Sequence, residues 1–318
     1  MDIQEDNYII CKYEITEDNL RYPIQIINSL SKIIDEEIKN SYEFYLDGKK
    51  IDFVLKYKFP KEGTYTLKIV VKKNVENISY LFYECMELIY LDFSHFDSLN
   101  IKDMNHLLNF CSSLTEINFS NFITRKVLDM SYFFCNCDSL NSINLSNFET
   151  YNVKTMRQMF CGCASLKSLD LSNINTDDAI DLSNMFYNCS SLITLDLTNF
   201  TTSKVTDMNH MFYGCSSLTS INLSSFDTSK VTDMESMFDY CSELVDLDLS
   251  NFNTDNVTNM SHMFEECPSL TNLNLKNFNC KNVTNIVEIF NGTNRECNII
   301  CNDEKINQEF KLLKNDIY

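Results

Sequence analysis

The sequence has no tryptophan, three prolines, five glycines and four histidines in 318 residues. So few glycines leave little room for a phosphate-cradling loop or a nucleophile elbow, and no carboxylate pair stands apart from the regularities described below. No enzyme and no cofactor are therefore expected. Positive charge is scarce too, with 26 Lys and Arg against 45 Asp and Glu, a net charge of −19. No basic run exceeds a pair, as in Lys49-Lys50 and Lys72-Lys73, so the electrostatic footprint of a nucleic-acid binder is missing. No apolar stretch approaches the roughly 20 residues of a membrane-spanning helix. The acidic start Met1-Asp2-Ile3-Gln4-Glu5 lacks the basic opening and apolar run of a secretory signal. Asn315-Asp316-Ile317-Tyr318 carries no lipidation signal. On these grounds the chain is expected to carry no signal or anchor and to be cytoplasmic by default.

Cysteine, by contrast, is abundant, with 14 residues, and it is ordered. Cys85 returns as Cys111, Cys137, Cys163, Cys189, Cys215, Cys241 and Cys267, always after 26 residues. A fixed period of this size is the mark of stacked-repeat architecture, in which one unit cannot bury its own apolar face and neighbouring turns cover each other. Length alone would suggest two globular domains, and the periodicity overrides it.

Within the period, leucine stands three residues after each cysteine (Leu88 through Leu270), with Leu or Ile at six and Leu or Phe at eight. Leu-x-x-Leu-x-Leu is the strand portion of a leucine-rich repeat, alternate side chains pointing inward. A phenylalanine column follows at eleven: Phe96, Phe122, Phe148, Phe200, Phe226, Phe252 and Phe278, with Ile174 as the exception. The spacing then changes. Val205, Met208, Met211 and Phe212, repeated as Val231, Met234, Met237 and Phe238, predict one face of a short helix. Thr206-Asp207 and Thr232-Asp233 stand where hydroxyl and carboxylate groups satisfy free amide donors at its start. The two methionine columns read as core filling rather than a metal or cofactor box.

The expected fold class is α/β: a leucine-rich-repeat solenoid of 26-residue strand-loop-short helix units with a small α+β N-terminal cap. Residues 1–74 form the cap, 75–293 the repeats, and 294–318 a C-terminal cap. In the first, 42–59 reads as a hairpin turning at Asp47-Gly48, 23–38 as a helix, and 65–71 as the strand that seeds the stack. In the last, Ile306, Phe310 and Leu313 give one apolar side to a closing helix. Thr293 replaces the next cysteine of the column.

Thr228-Ser229-Lys230-Val231-Thr232-Asp233-Met234 followed by Met237-Phe238, with Met211-Phe212-Tyr213-Gly214-Cys215-Ser216-Ser217-Leu218, closely resembles the BspA-type leucine-rich repeat surface proteins of bacteria and protists. The resemblance spans the whole array. It implies a curved solenoid used for protein binding, commonly for adhesion at a cell surface. Tyr45-Leu46-Asp47-Gly48-Lys49-Lys50-Ile51 through Gly63-Thr64-Tyr65 looks like the N-terminal cap of protist members. The absence of an export signal departs from that family and sets the surface location at odds with the sequence.

Eight cysteines in one inward column read as a reduced, buried ladder of small hydrophobes, their Cβ vectors parallel rather than convergent. Cys135 and Cys161, two residues ahead of the ladder, are expected to be surface thiols open to oxidation. Zinc finds no Cys-x-x-Cys motif. His106, His210 and His262 share one column, on the order of 10 and 20 Å apart, too far for any two to share a metal ion; they read as surface helix residues, and no metal site is expected.

The candidate site is the outward row of the strands. Seven residues after each cysteine stand Asp92, Asn118, Asn144, Asp170, Asp196, Asn222, Asp248 and Asn274, and the row two residues earlier is mostly hydroxyl and amide, with Tyr90, Glu116 and Asp246 as outliers. Such a row could be a solvated face, or a broad acidic groove on the concave side for a basic or polar protein. A calcium row has too few ligands per turn. Two functions follow: a non-enzymatic protein–protein interaction module acting in recognition or adhesion, and a structural or self-assembling intracellular scaffold. The oligomeric state stays open.

Overall fold

In the computed structural model, which describes residues 7–28 and 36–315, the 26-residue period becomes a ladder of stacked turns. Asn77, Asp103, Asp129, Thr155, Asp181, Asp207, Asp233, Asn259 and Asn285 are bridged in succession, each parallel to the next. The inward columns of the sequence are buried, except that Ile117, Ile143 and Ile221 are partly buried, and the apolar interior is continuous from Ile9 to Leu313. Phe134, Phe160, Phe186, Phe212, Phe238, Phe264 and Phe290 stack in one file, with ring centroids 5.5 to 6.0 Å apart and planes nearly parallel. That spacing is the offset stacking aromatic quadrupoles favour.

The N-terminal elements are β1 (Tyr8–Ile15), β2 (Ile24–Gln25), α1 (Glu36–Ser41), β3 (Tyr42–Leu46), β4 (Lys49–Ile51), β5 (Lys56–Tyr57) and β6 (Gly63–Val71). The expected hairpin is there. Leu46 faces Lys49, and Asp47 and Gly48, both at positive φ, make the two-residue turn that matches strand twist. Two expectations are corrected. The segment 23–38 is not one helix: Ile24–Gln25 pairs with β5, and α1 is described over Glu36–Ser41, while 29–35 lie outside the described residues. Nor does 65–71 seed the stack. β1 lies between β6 and the first repeat strand, β7 (Leu88–Asp92), antiparallel to both. Tyr65 and Leu67 fall 26 residues before Leu91 and Phe93 by coincidence, since any alternating strand matches a period-two pattern. β1 buries Ile9, Cys11, Tyr13 and Ile15 on one face, and its antiparallel pairing has no fixed offset to reveal it.

One sheet, ordered β4-β3-β6-β1-β7-β8, thus runs across residue 74 into the repeats, ending at β8 (Glu116–Asn118). Farther on, β9 (Asp246–Asp248), β10 (Asn272–Leu275) and β11 (Asn298–Cys301) form a parallel trio at a constant 26-residue offset. Between the two sheets the repeats keep the inward leucines but not a regular ladder; Asp196–Asn222 and Ser220–Asp246 are single bridges. The expectation of a full strand in every unit therefore holds at the ends only.

The short helices are absent from the repeats. In an α-helix each N–H would reach back four residues. Here Leu107, Asn109 and Cys111 bond three residues back, whereas His106, Leu108 and Phe110 donate across to the carbonyls of Ser131, Phe133 and Cys135 at 2.8 to 3.0 Å. The same alternation recurs down the stack. It depends on two left-handed residues per turn, one in the column of His106, His210 and His262, the other in the column immediately before the cysteine. A right-handed helix cannot hold positive φ, so the segment becomes consecutive tight turns. Tight turns and a helix both bring every third residue to one side, which is why the apolar spacing pointed to a helix.

The apolar stripe near the C-terminal end does form a helix. Helix α2 (Glu304–Lys314) buries Ile306, Phe310 and Leu313, and Phe310 meets Phe290 edge-on at 5.4 Å, ending the ring file. Asp303 caps it, accepting from the N–H groups of Lys305 and Ile306 with one oxygen and from Cys280 N–H with the other.

Candidate interaction surface

The outward Asp/Asn row begins with a local task. Asp92, Asn118, Asn144, Asp170, Asp196, Asn222, Asp248 and Asn274 each accept, through Oδ1, the backbone N–H two residues on, at 2.8 to 3.2 Å. This Asx turn bends the chain out of the strand position, and only a short side chain with an oxygen on Cγ fits it. The alternation of Asp and Asn along the row follows, because both offer that oxygen. The Ser172 and Thr198 amides lower the Asp170 and Asp196 carboxyls below their ordinary values, and the Ser250 hydroxyl and amide do so for Asp248.

Asn144, Asp170, Asp196, Asn222 and Asp248 are exposed, while Asp92, Asn118 and Asn274 are half-buried. Among the outliers, Glu116 and Asp246 are exposed. Tyr90 faces Glu116 in register, its hydroxyl 3.4 Å from Asp92 and its ring beneath the Lys12 ammonium. The strand row is thus brought together as one polar surface on parallel chain segments, with the middle units holding their places through Asx turns rather than a sheet.

The cysteine column lies wholly inside. Each thiol from Cys111 to Cys267 donates to the carbonyl 29 residues back, from Phe82 O (3.0 Å) to Phe238 O (3.1 Å), and Thr293 Oγ1 makes the same bond to Phe264 O. Burial pushes these thiols up, out of thiolate chemistry. Cys135 and Cys161 are buried as well, which corrects the expectation of surface thiols. The hydrogen bond to Cys161, together with burial, drives Cys135 well above the ordinary thiol range. Two residues ahead of a ladder cysteine is still inside a tight turn, where in a helix it would point outward.

A column missed in the sequence is Thr124, Thr150, Thr176, Thr202, Thr228 and Thr254, all buried. Each hydroxyl donates to the carbonyl and accepts from the N–H of the same residue 25 positions on; for Thr202 both bonds to Asp227 are 2.8 Å. A hydroxyl is the smallest group that does both, and the recurrence of Thr thirteen residues after the cysteine in six consecutive units, flanked by Ser98 and Cys280, was its signal.

The histidines stand in turns rather than on helices. His106 is half-buried between Tyr80 and Tyr132, ring centroids 4.4 and 4.2 Å away, and burial lowers its pKa, as it does that of His210. His262 differs. Its Nδ1 lies 2.5 Å from Glu265 Oε2 and 3.5 Å from Glu288 Oε2. Below it, buried Asp239 takes a hydrogen bond from Ser236 on one oxygen; burial, then the Glu265 charge, raise its pKa to about 7, against the pull of His262. Comparing histidine only with histidine hid this group, whose members are three and 26 residues from His262.

The family described as "Mycoplasma protein of unknown function, DUF285" matches residues 76–195 and 180–302. No curated protein matches the chain. Among solved structures, the TLR13–ssRNA13 complex is similar at 16% identity and a TM-score of 0.35, over 69% of this chain and 32% of that one. A leucine-rich repeat protein from Bacteroides ovatus is similar at 18% identity and a TM-score of 0.21, over 70% and 81%. The chain thus spans about a third of the first of these, and neither superposition is close enough to transfer a property. Among the described residues no helix is long and apolar enough to cross a membrane.

Proposed function

We propose that this chain, which belongs to the DUF285 family, is a non-enzymatic protein–protein interaction module, a leucine-rich-repeat solenoid of the BspA type. Under this reading residues 1–74 cap the first turns, 75–293 carry the repeats and 294–318 close them. Recognition or adhesion would run through the concave strand face, at a cell surface as in the family it resembles, with a basic or polar protein as partner. One observation supports the reading: in each Asx turn the fold uses one Asp or Asn oxygen, leaving the second oxygen or amide of the exposed Asn144, Asp170, Asp196 and Asn222, together with Glu116, for a partner, whereas Asp92 and Asp246 are also bonded to Tyr90 and Asn272. An unvarying frame presenting a varied polar row suits an extended protein ligand.

The test is a charge change that leaves the turns intact. Asn already serves in half of the row, so D92N/D170N/D196N/D248N keeps every acceptor and removes four negative charges. The immobilised variant should lose a basic protein partner that the parent retains at physiological salt, with unchanged thermal unfolding. Equal retention would move binding off this face.

A further inference from the structure

We propose that His262, Glu265 and Glu288 bind one divalent transition-metal ion, with the buried Asp239 carboxylate close by as a support. The three donor atoms of the first group lie within 4.8 Å of one another. Zinc holds nitrogen and carboxylate oxygen at roughly 2.0–2.2 Å, which sets neighbouring donors about 3–3.5 Å apart. Reaching that geometry requires Glu265 to withdraw slightly from 2.5 Å and the widest pair to close; both are side-chain adjustments.

The repeat holds the backbone still for this. His262 and Glu265 belong to one tight turn, Glu265 N–H bonding His262 O at 3.1 Å. Glu288 is the next copy of the His262 position, and His262 N–H donates to Val287 O beside it at 2.9 Å. Asn291 Nδ2 donates to Glu265 Oε1 at 2.7 Å, orienting that carboxylate as outer-shell partners do in metal sites. Glu288 is nearly half exposed, which gives an ion a way in.

The independent sign is Asp239. It is 95% buried by its 5% exposure, one period below Glu265, near enough to feel the charges of Glu265 and His262, and its Oδ1 has no hydrogen-bond partner among the described residues. A buried carboxylate oxygen left unpaired under the charge of Glu265 is costly without a cation. Imidazole with carboxylates favours zinc or its neighbours over calcium, which takes six or more oxygens.

Untagged, chelator-treated full-length protein should bind one Zn2+ by calorimetry and show visible d–d absorption with Co2+. His262→Gln and Glu288→Gln should abolish both, and Asp239→Asn should weaken binding ~10-fold or more. Removing the ion should lower the Tm of the parent and not that of His262→Gln. Undetectable Zn2+ binding, or binding unchanged in both Gln variants, overturns the site, as would near-ultraviolet thiolate-to-Co2+ bands, which would place the ion on cysteines instead.

Discussion

At the scale of the residue, this protein repeats polar side chains as strictly as apolar ones, because each turn leaves the same backbone groups in need of partners. The threonine column is the clearest case. Thr202→Val keeps shape and removes a donor and an acceptor, stranding the Asp227 N–H and carbonyl; the expected loss is about 1–3 kcal/mol by denaturant unfolding, with Thr202→Ser restoring most of it. The cysteines obey the same rule, for Thr293 keeps the bond where the thiol is gone. Asp239 is the exception that titrates. Its folded pKa of about 7 lies above the ordinary aspartate value, so the neutral form is the one the fold favours. Its contribution is full below pH 4 and is lost as pH rises to about 7, after which it is constant. Asp239→Asn should therefore unfold at higher temperature than the chelator-treated parent at pH 8, the margin shrinking to nothing near pH 4. A margin equal at both ends would contradict this.

At the scale of the element, left-handed residues decide what the methionine-rich half of each unit becomes. The apolar spacing was legible, and each of those side chains is buried as read; the backbone path between them was not. In the column before the cysteine, Asn136, Gly162, Asn188, Gly214 and Gly292 hint at positive φ, but Phe110, Tyr240 and Glu266 share the conformation and hide it. Such residues pay a local cost that the cross-turn hydrogen bonds offset. The closing helix was readable because its own sequence carries cap and stripe. Phe310→Ala should cost about 3–5 kcal/mol. Native-state hydrogen exchange should show protection falling in the last turns first, since only those touch the helix.

At the scale of the whole molecule, contacts between turns depend on the period and hardly at all on which turns meet. Deleting 190–215, one full period, joins like to like and should leave a cooperative, folded protein with a Tm lower by a few degrees. Deleting 190–202, half a period, should abolish the transition in circular dichroism, because buried and exposed columns would be set against each other. The candidate surface was legible as a row but not as a set of Asx turns, for a sequence shows which residues recur and not which atoms they use.

The amino-acid sequence by itself determined the period, the buried columns, the closing helix and the outward polar row, since each is a regularity carried by every unit and needs no knowledge of distant contacts. Tertiary structure alone decided that β1 enters between β6 and β7, that tight turns replace helices, and that His262 meets Glu265 and Glu288. Those outcomes depend on antiparallel pairing, on backbone hydrogen bonds made across turns, and on one-off neighbours in adjacent columns, none of which leaves a periodic trace.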